Sequence, residues 1–411
     1  MFTERFLPKI DGIVTRLLHT IRHLRESGHR VLVIAPEGVT EFEGTPVHGV
    51  AGFKFPLYPD QILAVPRPSI GRVLASFQPD VLHVVSPALL GISAFYYSSA
   101  RRVPLVASYH THLPKYLRYY GMGYLEGLMW WGIKAGYNRA DLTLVTSRSV
   151  QTDLQSRGLQ RVELWRRGVD TDMFHPQRVS QEMRARLTQG HPEDKLLLYV
   201  GRLSAEKEIE QCRLVLSEVP GLRLAVVGDG PHRRKLEQYF AGTSTYFAGY
   251  LKGADLAAAF ASADVFFLPS RTETLGLVLL EAMAAGCPVV AAAAGGVVDI
   301  VQDGVTGYLY EPENPGQAVS AILRLLTDDA RREQTRRHAR REVEPWSWAA
   351  ATRQLEDYYQ GVIRREKELP GKIAACRLSG ATAENICETL CISRATFRRH
   401  SRPLPEVGWR D

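Results

Sequence analysis

The stretch VFFLPSRTETLGLVLLEAMAAGCPVVAAAAGG, residues 265–296, runs through a strand, a loop, a helix and a second strand in quick succession. Val265–Leu268 is apolar at every position, the pattern of a strand buried on both faces. Pro269–Thr272 interrupts it. Thr274 and Gly276 then open a helix that carries Glu281 about two turns beyond Glu273. Pro288–Ala292 is a second buried strand. Strand, helix and strand in one short run make a βαβ unit, which implies a parallel sheet.

Outward from that unit the same rhythm covers most of the chain. Val31–Ala35, Val81–Val85, Leu105–Ser108 and Leu142–Thr146 read as buried strands, and Val14–Ser27 as a helix with apolar residues at Val14, Leu17, Leu18, Ile21 and Leu24. After Pro176 the rhythm restarts with Leu196–Val200 and Arg223–Val227, ahead of the opening stretch. Two doubly wound α/β domains are expected, residues 1–175 and 176–344, with the ligand in the cleft between them. The strand before Thr3–Gly12 is reduced to Met1 and Phe2, so it is truncated or begins upstream. Residues 345–365 read as an aromatic-rich helix and Glu366–Pro370 as a charged linker.

The chemistry gathers at strand ends. Glu273 and Glu281 share one loop-helix element, and carboxylates accept paired hydrogen bonds from vicinal diols of a sugar or ribose. A glycine at 276 allows a phosphate or sugar to approach the helix N-terminus. Gly201-Arg202-Leu-Ser-Ala-Glu-Lys207 directly follows a strand; Arg supplies a planar fork and Lys a point charge, together suited to a leaving diphosphate. Gly12 precedes the first helix and offers a backbone N–H. Tyr109-His110-Thr111-His112 ends another strand, where a cleft-facing histidine fits better than a metal ligand, because no third ligand stands at metal spacing. Asp170-Thr-Asp172 has a metal-binding look, yet its setting in Gly168–Pro176 reads as a turn or interdomain cap.

Composition bounds the rest. The 411 residues are 45% hydrophobic and 23% charged, as in globular proteins. The net charge of +7 is confined to one half: residues 1–170 hold 20 Lys/Arg against 13 Asp/Glu, leaving 31 of each for the remainder. A basic half suits phosphate, acidic lipid or nucleic acid, and equally a solubilising surface. No secretory signal is visible at Met1–Arg5. The five cysteines, Cys212, Cys287, Cys376, Cys387 and Cys391, include no CxxC pair and fit free thiols in a reducing cytoplasm.

Over residues 1–365 these strings resemble the retaining family 4 glycosyltransferases of the GT-B fold: Thr3-Glu-Arg-Phe-Leu-Pro with Gly12, Tyr109-His-Thr, Gly168-Val-Asp, Gly201-Arg-Leu with Glu206-Lys207, Gly228-Asp-Gly-Pro231, and the Glu273/Glu281 pair. The resemblance implies a metal-independent hexosyltransferase without a cofactor. In it His110, Arg202, Lys207 and Glu273 are catalytic, and Gly12, Arg202, Lys207, Glu273, Thr274, Leu275, Gly276 and Glu281 bind the nucleotide sugar. Within the family, Ser108–Gly121, Leu164–Asp170 and Ser270–Val278 are most similar to sulfoquinovosyltransferases, which use UDP-sulfoquinovose and diacylglycerol. GDP-mannose-dependent mannosyltransferases share much of this. Lys9, Lys115 and Arg148 are candidate sulfonate partners. Leu113–Arg139 interleaves aromatics and cations, as suits a peripheral membrane interface on the cytoplasmic or thylakoid face and equally a core helix pair.

The tail departs from the family. Residues 371–411 are similar to a helix-turn-helix, with Thr382 and Ser393 as caps, Cys391 where the turn glycine is usual, and Arg394, Arg398 and Arg399 on the second helix. Nucleic acid is not the expected partner, since a lone tail without a dimer half has little affinity. A DNA-binding regulator with an inactive transferase body is a distant alternative. Every transferase motif precedes the tail, so the tail is expected to be dispensable for transfer.

Overall fold

The computed structural model describes residues 1–401 except 10, 56–57, 86–88, 111–113, 115–121 and 274. The first half is built on a parallel sheet. β1 (Val33–Pro36) pairs with β2 (Thr45–Val50), and β3 (Leu82–Val84), β4 (Leu105–Tyr109), β5 (Leu142–Val145) and β6 (Val162–Leu164) pair in that order. Phe2 joins the two groups by bridging Ile34 on one side and Val84 on the other. The stub expected at Met1–Phe2 is thus present as one fully buried bridge residue. α1 (Gly12–Glu26) begins two residues before its apolar stripe, because the Asp11 carboxylate accepts the N–H groups of Ile13 and Val14. α2 (Leu89–Arg101) and α3 (Glu126–Tyr137) flank the same sheet.

The second half holds six parallel strands: β7 (Lys195–Val200), β8 (Leu222–Val227), β9 (Thr245–Gly249), β10 (Val265–Leu268), β11 (Val289–Ala292) and β12 (Tyr308–Tyr310). Their order is β9-β8-β7-β10-β11-β12. Leu198 lies opposite Ala225 on one side and Phe266 on the other, so β7 is central. The winding reverses between β7 and β10, and at such a switch point the connecting loops diverge and leave a crevice at the carboxyl ends. Gly201–Lys207 and Pro269–Gly276 are the loops that leave those two strands. α4 (Leu277–Ala284) follows the second of them and is buried along most of its length. The result is the two-Rossmann-domain architecture expected from the sequence.

The C-terminal helix differs from expectation. α5 spans Trp348–Leu378, so the expected linker at Glu366–Pro370 is helical, with Pro370 inside it. Proline removes one helical hydrogen bond. The helix continues because Leu369 and Ile373, one turn apart, are buried against Ile386 and Ile392. Earlier in α5, Leu355 and Val362 pack with Val106, Leu142, Leu144 and Trp165 of the first domain, as expected for a helix crossing back.

The tail is also corrected. α6 (Ala383–Thr389) and α7 (Arg394–Ser401) carry the expected caps, with Thr382 accepting from Asn385 N and Ser393 from Thr396 N. Cys391 holds the turn at φ 49°, the left-handed region that explains the usual glycine. Arg399, however, does not face solvent. Its guanidinium donates to both Asp141 oxygens at 3.0 Å and to Glu366, while His400 Nε2 lies 2.9 Å from Glu366 Oε1. Thr396 Oγ1 donates to Asp141 Oδ1 at 2.7 Å. The second helix of the tail is therefore fastened to the catalytic body.

Candidate active site

At the carboxyl end of β7 the chain turns through Gly201 and Arg202 into a single helical turn, Ala205–Lys207. At the end of β10 it reaches Glu273. The two loops meet: Lys207 Nζ donates to Glu273 Oε2 at 2.9 Å, with both side chains mostly shielded from water. Glu273 Oε1 accepts the Gly276 N–H at 2.9 Å, so the carboxylate is held from two sides. Gly276 has φ 66°, and a Cβ there would lie 2.5 Å from Ile300. Its glycine is thus required by backbone conformation and packing. Its N–H is taken up by Glu273 Oε1.

The Gly295-Gly296 pair fixes Glu273 from behind. Gly296 N donates to the Glu273 carbonyl at 2.8 Å, and a Cβ on Gly295 (φ 58°) would stand 2.2 Å from that same oxygen. No other residue allows so close an approach. One turn and a half into α4, Glu281 is half-buried.

Gly12, His110, Arg202, Lys207, Glu273, Leu275 and Glu281 line one cleft of about 2530 Å³ between the two sheets. A Cβ on Gly12 would reach van der Waals contact with Leu277 and Leu275 of the second domain, at 3.5 and 3.8 Å. Thr274, Thr111, His112 and Lys115 lie outside the described residues. Lys9 lines the cleft, whereas Arg148 is exposed at the start of the Arg148–Ser156 helix and is not among the lining residues. Asp170 Oδ1 accepts from the N–H groups of Asp172 and Met173, which makes this carboxylate the cap of a turn.

Burial sets the charge states. Desolvation alone would raise the Glu273 carboxyl, but the charge and hydrogen bond of Lys207, the Gly276 N–H and Arg167 together hold it below its ordinary value. Glu281 has no such compensation, and desolvation pushes it up to about 8. Burial, with Arg16 and His83 nearby, holds the His110 imidazole well below its ordinary range, so it is neutral at physiological pH. Its ring lies 5.9 Å from that of Trp165, over which the Arg16 guanidinium sits at 3.4 Å.

Two comparisons with known proteins decide the family. Residues 10–173 match Glycosyltransferase Family 4, and residues 183–342 match Glycosyl transferases group 1. The chain is 41% identical over 357 residues to sulfoquinovosyl transferase SQD2 of Arabidopsis thaliana, covering 85% of this chain and 70% of that one. The protein is a family 4 glycosyltransferase. It is also 37% identical to a GDP-mannose-dependent alpha-mannosyltransferase of Mycolicibacterium smegmatis, over 88% of this chain and 96% of the relative. An alpha-monoglucosyldiacylglycerol synthase of Streptococcus pneumoniae is 26% identical, over 79% and 77%. Among solved structures, Anabaena Alr3699/HepE in complex with UDP and glucose superposes with a TM-score of 0.72 at 20% identity, over 87% of this chain and 98% of that one. That likeness bears on the fold.

Around the glycosyltransferase cleft stand residues that sequence reasoning left without a role, one behind it and one lining it. Arg167, buried in the first domain, donates to the Gly296 carbonyl of the second at 3.2 Å. Burial lowers its guanidinium to about 10, against the opposing pull of Asp299 and Glu273. His19 lines the cleft and stacks on Trp348 at 4.8 Å. The only signal for Arg167 was its place in the Trp165–Gly168 string.

Proposed function

We propose that this glycosyltransferase moves sulfoquinovose from UDP-sulfoquinovose to diacylglycerol, with retention of configuration and without a metal. The observation that carries the reading is the composition of the cleft. It joins the Lys207–Glu273 clamp at the switch point to an apolar branch between α2 and α3, and its volume exceeds the roughly 300–1,000 Å³ of a small-molecule pocket. The likeness to SQD2 supports the donor, and that to the glucosyldiacylglycerol synthase supports a lipid acceptor. Of the candidate sulfonate partners, Lys9 lines the cleft, which supports it as the one that meets the donor sugar.

In this reading Arg202 and Lys207 neutralise the diphosphate as the bond from the sugar anomeric carbon to phosphate breaks, with the Gly12 backbone beside the distal phosphate. Glu281 and the loop that leads into α4, Thr274 and Leu275, hold the nucleoside, with Gly276 making the turn between them. Glu273 and neutral His110 hold sugar hydroxyls. The acceptor oxygen bonds to the anomeric carbon on the face the phosphate leaves, and its proton passes to the departing phosphate oxygen. Positioning and electrostatics supply the rate, with no covalent nucleophile.

No helix among the described residues is long and apolar enough to cross a membrane. Peripheral attachment fits the surface instead. Tyr124, Leu128 and Trp131 recur at helical spacing and are 81%, 66% and 71% exposed. With the basic first domain this is a docking face for anionic membrane. The mannosyltransferase reading is kept as an alternative because that relative is matched along 96% of its length.

The test is transfer to diacylglycerol in anionic vesicles. EDTA should leave the rate intact, rising salt should lower it without slowing donor hydrolysis, and the product should be the α-glycoside by NMR. Activity abolished by EDTA and restored by Mn²⁺, or a β-linked product, would refute the mechanism.

A further inference from the structure

The cleft does not end at the donor clamp. α2 lines its continuation with Ile92, Phe95 and Tyr96, and α3 lines it with Met129, Gly132 and Ile133. The two helices pack closely, since a Cβ on Gly136 would lie 3.8 Å from the Phe95 ring. From Leu89 to Ala100 the α2 wall extends about 16 Å at 1.5 Å per residue. That is about half of a ~30 Å hydrocarbon layer, the depth one acyl chain spans in a leaflet.

The tail contributes to the same cleft. Ala395 and Arg398 of α7 border it together with Ala100. Arg399 holds this wall in place: besides Asp141 and Glu366 it donates to Ser98 Oγ at 3.1 Å, at the end of α2. A helix held only by solvated contacts could not define a cavity. This one is anchored by an arginine that is 3% exposed, between carboxylates that are 9% and 11% exposed.

We propose that α7 is an acceptor-selectivity element: an acyl chain of the lipid acceptor occupies the channel between α2 and α3, and Ala395 sets the chain length that fits. This rests on the lipid-acceptor reading above. The small residues follow from it. Gly132 is exposed on α3, and an added Cβ there meets nothing within 4 Å, which leaves room beside the helix. Ala395 is the small residue where α7 borders the cleft.

The experiment uses the full chain with dihexanoyl- and dioleoylglycerol as acceptors and donor hydrolysis as the control. Gly132→Leu fits its site and improves helix propensity, so it should fold as wild type and lower kcat/KM for both lipids at least tenfold with hydrolysis unchanged. Ala395→Phe should lower kcat/KM for dioleoylglycerol at least tenfold and leave dihexanoylglycerol within twofold. An equal effect of Ala395→Phe on both chain lengths, or none on either, would overturn the proposal. A dioleoylglycerol bearing a diazirine near the chain terminus should crosslink to α7 in the wild type. Crosslinks that avoid α7 would likewise overturn it. Failure of the underlying reading has a different signature: wild type that glycosylates soluble polyols, no diacylglycerol, and takes no crosslink.

Discussion

Lys207 and Glu273 sit 2.9 Å apart beyond the ends of adjacent strands, and the lysine helps hold the Glu273 carboxyl below its ordinary value. On the proposed mechanism, removing the lysine takes away one cation opposite the leaving diphosphate; it also releases Glu273 to desolvation, the larger influence on it. Lys207→Ala should therefore lower turnover about 30- to 1,000-fold, on the order of 2–4 kcal/mol. Turnover within threefold of wild type would refute the clamp. Glu281 offers a test at equilibrium. Its folded pKa of about 8 lies above the ordinary 4.5, so its contribution is fully present below about 4.5 and is lost as pH rises towards and through 8. The melting temperature of Glu281→Gln relative to wild type should climb between pH 5 and 9; a flat difference would contradict the shift. These residues were legible in the sequence because each stands a few positions beyond a strand of obvious pattern. Arg167 was not, since its partner Gly296 is 129 residues away and only the closed cleft brings them together.

Elements were legible where burial dictates composition. β10 matches its expected bounds, and the other expected strands agree to within a residue or two, because a strand covered on both faces admits little but apolar residues. β9 carries only partly buried residues and β12 is three residues long, and neither stood out. The largest departure is α5. Charge in Glu366–Pro370 resembled a solvated linker, yet Glu366 pairs with Arg399 and lies against His400, a partnership that local sequence does not reveal. Consequently the tail should not be dispensable. Arg399→Ala leaves Asp141 and Glu366 facing each other without their cation, a loss of about 3–5 kcal/mol for a buried pair. Urea unfolding followed by tryptophan fluorescence should show a clearly lower midpoint. An unchanged midpoint would restore the picture of an independent appendage.

At the scale of the whole molecule, two sheets of the same winding face each other, and a helix from the second domain returns to the first. The arrangement brings Gly12 and His110 opposite Arg202, Lys207, Glu273 and Glu281 around one cleft. The sequence shows the two domains and most of the residues that meet, through six ordered motifs. It does not show the channel, because α2, α3 and α7 are separated by up to some three hundred positions and their small and apolar residues look ordinary in isolation. The central claim is that a family 4 scaffold joins a diphosphate clamp to an acyl-binding branch and uses them for sulfolipid synthesis. The most direct measurement is initial rate on diacylglycerol vesicles with UDP-sulfoquinovose, UDP-glucose and GDP-mannose in parallel, each also offered soluble polyols. The account expects UDP-sulfoquinovose with diacylglycerol to be much the fastest pair, because a charge-assisted contact to the sulfonate has no counterpart in UDP-glucose. A preference for GDP-mannose, or for a polyol over diacylglycerol, would contradict it.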